Sequence, residues 1–585
     1  MKKLLEYLKE YRKEAVLAPG FKLLEAVFEL FVPLVMARII DVGIPNEDMP
    51  YILKMGLILL LLACVGLTVS ITAQYFAAKA AVGTAASLRQ AVFDHIMELD
   101  FTGVDRAGTS TLITRMTSDI NQVQSGINMT LRLFLRSPII VFGAMIMAFT
   151  IDVKSALIFV VAIPLLALVV YGIMAITMPK YRKVQLLLDR VLGTTRENLT
   201  GVRVIRAFHM EEREEEKFHA QNEELTAAQT HVARISAVTG PVTYVIVNAA
   251  IIYLIYTGAV KVNIGALTQG QVVALLNYMN QILVELIKLA NLIVTMSKAV
   301  ACAGRVADVL ELPAGPEVEA GAEKSGAESI TRGEDREEVP FLAFDHVSLT
   351  YDGAGDATLK DIDFRVRKGE TIGIIGGTGS GKSSLVNLIP GFYRASEGAV
   401  RLEGRDIKEM QEEEIRGRIG IVPQKAVLFR GTIRSNLLWG NPEAGEEQLW
   451  KAIDLAQAGE IVRGKEGGLD AEVAQGGRNF SGGQRQRLTI ARALVREPEI
   501  LILDDSASAL DFLTESRLKQ ALAGLRDTTV FIVTQRASSI LHADRILVLD
   551  DGQIVGIGRH EELLASCEVY REIYESQYET KGKEA

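Results

Sequence analysis

Two adjacent carboxylates follow an apolar run within residues 501–511, which read LILDDSASALD. The run ends at Asp504 and Asp505, and a short polar turn leads on to Asp511. At such a strand end, nucleotide hydrolases place a carboxylate for Mg²⁺ and, one residue later, a general base that is usually a glutamate. We therefore expect Asp504 to bind a metal and Asp505 to act as a base that is one methylene short.

A glycine-rich loop lies further towards the N-terminus, where the strand-like TIGII runs into GGTGSGKSS. Gly376 is followed, after four residues, by Gly381, Lys382 and Ser383, the spacing of a phosphate-binding loop between a strand and a helix. Backbone N–H groups of such a loop curl around phosphate oxygens, its lysine reaches the β- and γ-phosphates, and its serine binds Mg²⁺. The nucleotide-binding residues predicted in this loop are Gly376, Gly377, Thr378, Gly379, Ser380, Gly381, Lys382, Ser383 and Ser384.

Three further stretches carry groups suited to a nucleotide. Tyr351, upstream of the loop, could stack on an adenine ring, although a lone tyrosine is more often an ordinary strand aromatic. Gln424 ends the strand-like IGIVPQ. The stretch NFSGGQRQR starts a helix with small residues and so predicts an anion site. The residues assigned to that site are Ser481, Gly482, Gly483 and Gln484.

The elements that must position these groups differ between the two halves of the chain. From Phe341 onward, short β-rich runs alternate with helical stretches, which predicts an α/β domain. Long uncharged runs fill the first half and account for the 49% hydrophobic content and the mean hydropathy of +0.21. Because about 20 apolar residues cross a bilayer, we predict an all-α membrane domain with six spans, at 21–40, 57–76, 133–151, 156–178, 242–260 and 272–296.

The 585 residues are too many for one ordinary domain. We expect a membrane domain at 1–312, an acidic flexible linker at 313–340 and the α/β domain at 341–585. The loops after the second and fourth spans are long and rich in Arg and Lys, and the N-terminal MKKLLEYLKEYRKEA is also basic. By the positive-inside rule these segments and the α/β domain lie in the cytoplasm. The N-terminal segment lacks a small-residue cleavage site and so does not resemble a signal peptide. We expect a bacterial plasma membrane, because the segment does not resemble a transit-like, acid-poor extension.

Several polar residues interrupt the predicted spans. In the sixth span they follow helical spacing and share one face, and in the first span two glutamates do the same. Charges at membrane depth are costly and usually face a bundle interior or a watered cavity. We predict a cavity lined by this set, and the alternative is that Glu285 and Lys288 simply pair. The residues in question are Glu25, Glu29, Asn277, Gln281, Glu285 and Lys288.

Charge and cysteine content exclude other classes of protein. The net charge of −9 gives no support to a nucleic-acid partner, since such proteins usually present a basic face. The three cysteines, Cys64, Cys302 and Cys567, are far apart, lack metal-ligand spacing and fit a reducing compartment.

Taken in order, these motifs resemble those of an ATP-binding cassette (ABC) transporter. The resemblance places a Walker A loop at 376–383, a Q-loop at Gln424, a signature motif at 481–484, a Walker B strand ending at Asp504 and a D-loop at 508–511. It implies that ATP and Mg²⁺ are cofactors, that Ser383, Gln424 and Asp504 bind the metal, and that Asp511 contributes to the nucleotide site. With the spans ahead of it, the chain resembles an exporter half-transporter, in which short coupling helices are expected near 101–105 and 208–212.

Two departures from that family's pattern fall in one composite site. Asp505 stands where the family has glutamate, and Gln535, in the switch loop VTQRAS, stands where it has histidine. An amide cannot carry the proton or the charge that a histidine carries. The signature is intact except for Phe480 in place of leucine, and Gln475 stands before it in place of glutamate.

This combination resembles the degenerate-site subunit of heterodimeric bacterial multidrug exporters. The resemblance implies that the chain binds ATP, hydrolyses it slowly, and gives its signature to a partner half-transporter that carries Glu and His. The pair would export amphipathic compounds, which include drugs, peptides and lipids, across the bilayer. Two alternatives remain: a nucleotide-gated regulatory membrane protein with little turnover, and a homodimeric exporter or lipid flippase.

Overall fold

The computed structural model describes residues 4–313 and 339–578, which fall into two compact units. The first unit comprises Met1–Met97 and Gly108–Leu312, and the second comprises Glu98–Ala107 and Pro313–Ala585. The predicted linker at 313–340 lies almost entirely outside the described residues.

Helices make up the described chain up to residue 313, apart from the turns between them. Two π-helical turns, Ile39–Gly43 and Arg115–Asp119, follow α2 and α5. In chain order the helices are α1 (Leu4–Lys9), α2 (Arg12–Arg38), α3 (Met49–Glu98), α4 (Phe101–Ala107), α5 (Thr109–Thr114), α6 (Ile120–Leu133), α7 (Arg136–Ile151), α8 (Val153–Thr200), α9 (Val202–Ala207), α10 (Glu211–Ala237), α11 (Thr239–Asn263) and α12 (Gln269–Leu310).

Five helical segments among the described residues are long and apolar enough to cross a membrane. They contain the second to sixth predicted spans. The first predicted span, 21–40, is not confirmed by this measure, because Lys22, Glu25 and Glu29 of α2 interrupt its apolar stretch. The five segments are Met49–Glu98, Thr109–Ile151, Val153–Thr200, Glu211–Asn263 and Gln269–Leu310.

The buried core of the first unit is formed by α2, α7, α8, α11 and α12, and α12 also packs closely against α6. Small residues allow close approach of these helices: a Cβ on Gly126 of α6 would lie 2.2 Å from the Cβ of Ala299 on α12. Larger side chains fill the space elsewhere, and the fully buried Tyr278 donates its hydroxyl to the carbonyl of Leu30 at 2.6 Å. The position of α12 is therefore set by contacts with several helices.

The described part of the second unit combines three sheets with helices. Its strands are β1 (Leu342–Leu349), β2 (Leu359–Val366), β3 (Thr371–Gly376), β4 (Glu397–Leu402), β5 (Arg405–Asp406), β6 (Ile419–Val422), β7 (Gly431–Thr432), β8 (Glu472–Val473), β9 (Ile500–Asp504), β10 (Thr529–Val533), β11 (Arg545–Asp550) and β12 (Gln553–Gly558). Its longer helices are α13 (Lys382–Leu388), α14 (Glu412–Gly417), α15 (Ile433–Leu437), α16 (Glu446–Leu455), α17 (Gly459–Arg463), α18 (Gly482–Leu494), α19 (Phe512–Ala523), α20 (His560–Ser566) and α21 (Glu568–Tyr578).

The six-stranded sheet brings the functional segments together. Its order is β12-β11-β3-β10-β9-β6, and β11, β3, β10, β9 and β6 pair in parallel. The register matches Val533 with both Asp504 and Ile374, so β3, β9 and β10 end at one edge. Ligands of open α/β sheets bind outside the carboxyl ends of the strands. That edge is therefore the expected place for a site.

The two expected short helices differ in how well their positions agree with the structure. Helix α4 begins at Phe101, whose ring stacks 4.3 Å from that of Phe392, and Asp105 accepts a hydrogen bond from Tyr393 at 2.7 Å within the second unit. The helix expected near 208–212 lies earlier, as α9. Residues 208–210 instead form a turn in which His209 has φ = +51°, a backbone angle that ends the helix.

Candidate functional site

A cavity of about 340 Å³ lies at the carboxyl ends of β3, β9 and β10, and we call it the nucleotide cavity. It brings together the glycine-rich loop, Gln424, the two carboxylates and the switch-loop glutamine. The side chains and backbone that line it belong to Thr358, Thr378, Gly379, Gly381, Lys382, Ser383, Ser384, Gln424, Asp504, Asp505, Val533, Thr534 and Gln535.

The glycine-rich loop needs glycine for two different reasons. Gly381 has φ = +92°, in the left-handed region that favours glycine, and it directly precedes α13. Gly376 has an ordinary backbone, but a Cβ there would lie 2.2 Å from the carbonyl oxygen of Leu549 on the neighbouring strand. The loop is thus held against the sheet, and its residues Thr378, Gly379 and Gly381 line the cavity.

Lys382 is a buried cation within this loop. Its ammonium group donates to the carbonyl of Gly376 at 3.0 Å and to that of Gly377 at 2.5 Å. Burial lowers the pKa of Lys382, while the charges of Asp504 and Asp505 act in the opposite direction. A phosphate group bound at the loop would supply negative charge to pair with this buried ammonium group.

Asp504 and Ser383 form a pair suited to Mg²⁺. The Ser383 hydroxyl donates to the Asp504 carboxylate at 3.1 Å, and Asp504 is only 8% exposed. Burial raises the pKa of Asp504, the Ser383 hydrogen bond lowers it, and the charge of Asp505 raises it further. Mg²⁺ is usually held by one or two carboxylates together with substrate phosphates. One carboxylate and one hydroxyl beside a phosphate loop fit that pattern.

The backbone of Asp505 is held in an uncommon conformation. Its φ is +46°, in the left-handed region where aspartate is among the better-tolerated residues. Its N–H donates to the carbonyl of Val533 at 2.9 Å, and its own carbonyl accepts from the N–H and hydroxyl of Ser508 at 3.3 and 2.8 Å. Three hydrogen bonds therefore fix the backbone of residue 505, from which the carboxylate side chain extends.

Gln535 reaches the same cavity from the end of β10. Its backbone is supported by Gln577 of α21, whose amide nitrogen donates to the Gln535 carbonyl at 2.8 Å. The amide oxygen of Gln577 accepts from the Ala537 N–H at 2.9 Å. One side chain thus binds the switch loop at two points. Asp505 and Gln535, the two departures from the family pattern, both line the nucleotide cavity.

The signature residues do not line the nucleotide cavity. Ser481 and Gln484 form a reciprocal cap at the start of α18, with N–H to side-chain distances of 3.0 and 3.3 Å. A Cβ on Gly483 would lie 2.9 Å from the carbonyl oxygen of Ala509, so the signature packs against the D-loop. Asp511 also lies off the cavity and caps α19 by accepting from Thr514 at 2.9 Å. Nucleotide binding by Ser481–Gln484 and Asp511 stays a prediction.

Tyr351 lies beside the cavity without lining it. Its hydroxyl donates to Ser384 at 2.9 Å, and its ring meets that of Tyr393 edge-on at 5.0 Å. Its proposed stacking on adenine stays a prediction. The sequence reasoning missed Thr358, which lines the cavity from just before β2 and carries no local signal, and Gln577, which only the fold brings to the switch loop.

The polar residues of the predicted membrane cavity separate into two groups. Glu25 and Lys288 line a cavity within the first unit, whereas Glu29, Asn277, Gln281 and Glu285 do not. Glu285 is 3% exposed and lies 2.8 Å from Lys288, which is the pairing considered as the alternative. It also accepts from Arg136 and from Ser137, both at 2.7 Å. Asn277 donates to the carbonyl of Val273 in its own helix at 3.0 Å.

Comparison with protein families gives two matches. Residues 16–286 match the ABC transporter transmembrane region, and residues 359–508 match the family described as ABC transporter. The chain is 36% identical to an uncharacterized ABC transporter ATP-binding protein of Mycobacterium tuberculosis, over 98% of this chain and 97% of that protein. It is 30% identical to a Bacillus subtilis ATP-binding/permease protein provisionally named for multidrug export, over 99% and 98% of the two chains.

A solved structure shares the fold. It is described as a bacterial Atm1-family ABC exporter with ATP bound, and it aligns with a TM-score of 0.76 over 97% of this chain and 98% of that chain. Sequence identity to it is 23%, so this likeness concerns the arrangement of the elements.

Proposed function

Because this chain belongs to the ABC transporter family and so couples ATP hydrolysis to transport, we propose that it is one half of an exporter in the bacterial cytoplasmic membrane. Support comes from the membrane and ATPase regions lying on one chain, from the relative named for multidrug export and from the shared fold of an exporter. Amphipathic compounds, which include drugs, peptides and lipids, are the substrates. The N-terminus and the ATPase domain lie in the cytoplasm.

One observation carries the mechanism: the nucleotide cavity contains the phosphate loop, the metal carboxylate and the switch loop, but no signature residue. ABC exporters work as dimers in which the signature of one chain completes the ATP site of the other. Lys382 would hold the phosphates, Ser383 and Asp504 would hold a Mg²⁺ ion that would supply positive charge against the phosphates, and Asp505 would orient the attacking water. The signature at Ser481–Gln484 then serves the partner's site.

The dimer that we propose is a heterodimer. Asp505 and Gln535 line the same cavity, so both departures weaken the site built on this chain's phosphate loop. That site binds ATP and hydrolyses it slowly, while the partner supplies Glu and His at the corresponding positions and receives an intact signature. A homodimer would carry both departures at both sites and turn over little, and the nucleotide-gated regulatory alternative then fits better.

We also propose that α2 crosses the membrane as the first of six spans. Its charged side chains do not argue against this, because they are satisfied inside the first unit. Lys22 is 5% exposed and donates to Glu25 at 2.5 Å and to Ser70 of α3 at 3.0 Å. Intramembrane charges that pair within a bundle are tolerated.

The test is to purify the tagged chain from its native host in mild detergent and to weigh the intact complex by native mass spectrometry. The proposal predicts a one-to-one complex with a second half-transporter and an ATPase rate that amphipathic compounds change. A complex of this chain with itself alone contradicts the heterodimer. An ATPase rate that no amphipathic compound alters contradicts the export function.

A further inference from the structure

A second cavity, of about 400 Å³, lies within the first unit among α2, α3, α6, α7 and α12, and we call it the inner cavity. Its volume is within the range of pockets for drug-sized ligands, roughly 300–1,000 Å³. Met129 and Leu133 contribute apolar surface to its lining. The charged side chains on the lining are Lys22, Glu25, Arg132, Arg136 and Lys288.

The carboxylates at and next to the inner cavity are already bound by cations. Glu25 accepts from Lys22 at 2.5 Å. Glu29 and Glu285 each accept from Arg136 at 2.7 Å. Buried charges persist when they are paired in this way, so these carboxylates have little capacity left to attract a cationic ligand.

The lining of the inner cavity carries cationic side chains that have no carboxylate of their own. Lys288 shares Glu285 with Arg136, at 2.8 Å from its carboxylate. Arg132 makes no hydrogen bond or ion pair with any described residue, and its Nε atom is buried without an acceptor. A buried guanidinium N–H group without an acceptor is costly, and an anionic oxygen satisfies it best.

We propose that the inner cavity binds the anionic group of an amphipathic substrate, a carboxylate, phosphate or sulfonate, with Arg132 as its principal contact. Lys22 and Lys288 add positive charge on the same lining, and Met129 and Leu133 contact the apolar part of the substrate. This inference rests on the proposed export function and narrows its substrate class from amphipathic compounds in general to anionic ones.

The experiment measures binding to the assembled, detergent-purified transporter without ATP. Carboxyfluorescein and rhodamine 123 share a xanthene ring system and differ in charge, so their fluorescence anisotropy compares an anionic with a cationic probe. Lysophosphatidylglycerol and lysophosphatidylcholine with the same acyl chain, used as competitors, distinguish a lipid headgroup from a soluble anion. The variants are Arg132→Gln, the charge-preserving Arg132→Lys and the control Arg190→Gln, which removes an exposed arginine of α8.

We expect the wild-type transporter to bind carboxyfluorescein or lysophosphatidylglycerol more tightly than the matched compound without net negative charge. Arg132→Gln should weaken anion binding roughly 10- to 100-fold, the effect of losing a charge-assisted hydrogen bond, and should leave rhodamine 123 unaffected. Arg132→Lys should retain most of the affinity, and Arg190→Gln should retain all of it. Competition with the bound probe by lysophosphatidylglycerol, and not by lysophosphatidylcholine, identifies an anionic lipid as the substrate.

Two results overturn the inference: anion affinity within twofold of wild type in Arg132→Gln, or tighter binding of rhodamine 123 than of both anions. The export function is judged separately, by ATPase stimulation. If only cationic probes stimulate the ATPase, the export function is supported and the proposal of anionic substrates is refuted. Anion binding that depends on Arg132 without stimulation by any amphipathic compound supports the site and refutes export.

Discussion

Lengthening the Asp505 side chain tests whether reach limits hydrolysis at the nucleotide cavity. Asp505→Glu moves the carboxylate outward by about one C–C bond, roughly 1.5 Å. The backbone cannot compensate in the wild type, since three hydrogen bonds to Val533 and Ser508 hold residue 505 in place. A misplacement of about 1 Å can cost roughly 10²-fold in rate. We therefore expect Asp505→Glu to raise turnover at this site about 10- to 100-fold.

The same substitution carries a backbone cost. Residue 505 has φ = +46°, where aspartate is better tolerated than glutamate. The left-handed conformation costs roughly 1–2 kcal/mol for an ordinary residue, and aspartate already bears part of that. The stability of the variant should fall by about 1 kcal/mol or less. The rate gain should therefore appear in a protein that still folds and binds ATP.

The chain offers a matched control for this cost. Asp551 also has a left-handed backbone, with φ = +43°, and its side chain is exposed outside the nucleotide cavity. Asp551→Glu should lower stability by a similar amount and leave turnover unchanged. Asp505→Asn, which has the same shape but cannot accept a proton, should abolish the residual activity of the site.

The assay is phosphate release by the reconstituted transporter at saturating Mg²⁺–ATP. In the proposed heterodimer, the partner's glutamate at the position of Asp505 is replaced so that only this site contributes. ATP binding by each variant is measured in parallel. If Asp505→Glu binds ATP as wild type does and is no faster, then the reach of the side chain does not limit hydrolysis.

Three further substitutions probe the contacts around the two cavities. Gln535→His should raise turnover more when it is combined with Asp505→Glu than when it is made in the wild type, because both residues line one cavity. Additive effects of the two substitutions in the phosphate-release assay would contradict this coupling. Gln577→Ala removes two hydrogen bonds to the switch loop, each with a net value of about 0.5–1.5 kcal/mol, so hydrogen exchange of that loop should accelerate. The control is Gln411→Ala, which removes an exposed glutamine. Equal rates of hydrogen exchange of the switch loop in the two variants would contradict a supporting role for Gln577. Glu285→Gln leaves the buried Arg136 with one fewer carboxylate, so the free energy of unfolding should fall by up to about 3–5 kcal/mol and the melting temperature in detergent should fall with it. An unchanged melting temperature would show that the pair contributes no net stability.

The sequence by itself determined the features that depend on local patterns. The glycine-rich loop was identified from the spacing of Gly376, Gly381 and Lys382, because a phosphate loop requires small residues and a lysine at fixed offsets. Five of the six predicted spans lie in helices that are long and apolar enough to cross a membrane, because the thickness of a bilayer sets the length of such apolar runs. The first predicted span is not confirmed by the same measure, because Lys22, Glu25 and Glu29 interrupt its apolar stretch.

Only the tertiary structure decided which distant residues meet. Arg136 and Glu285 are 149 positions apart, and their 2.7 Å contact depends on the packing of α7 against α12. The support of the switch loop by Gln577 depends likewise on where α21 lies against the sheet. Such contacts leave no periodic or spacing signal, since their geometry follows from the packing of whole elements. The buried Nε atom of Arg132, which has no acceptor, has the same origin, because it depends on which side chains the packing of α6 brings next to it.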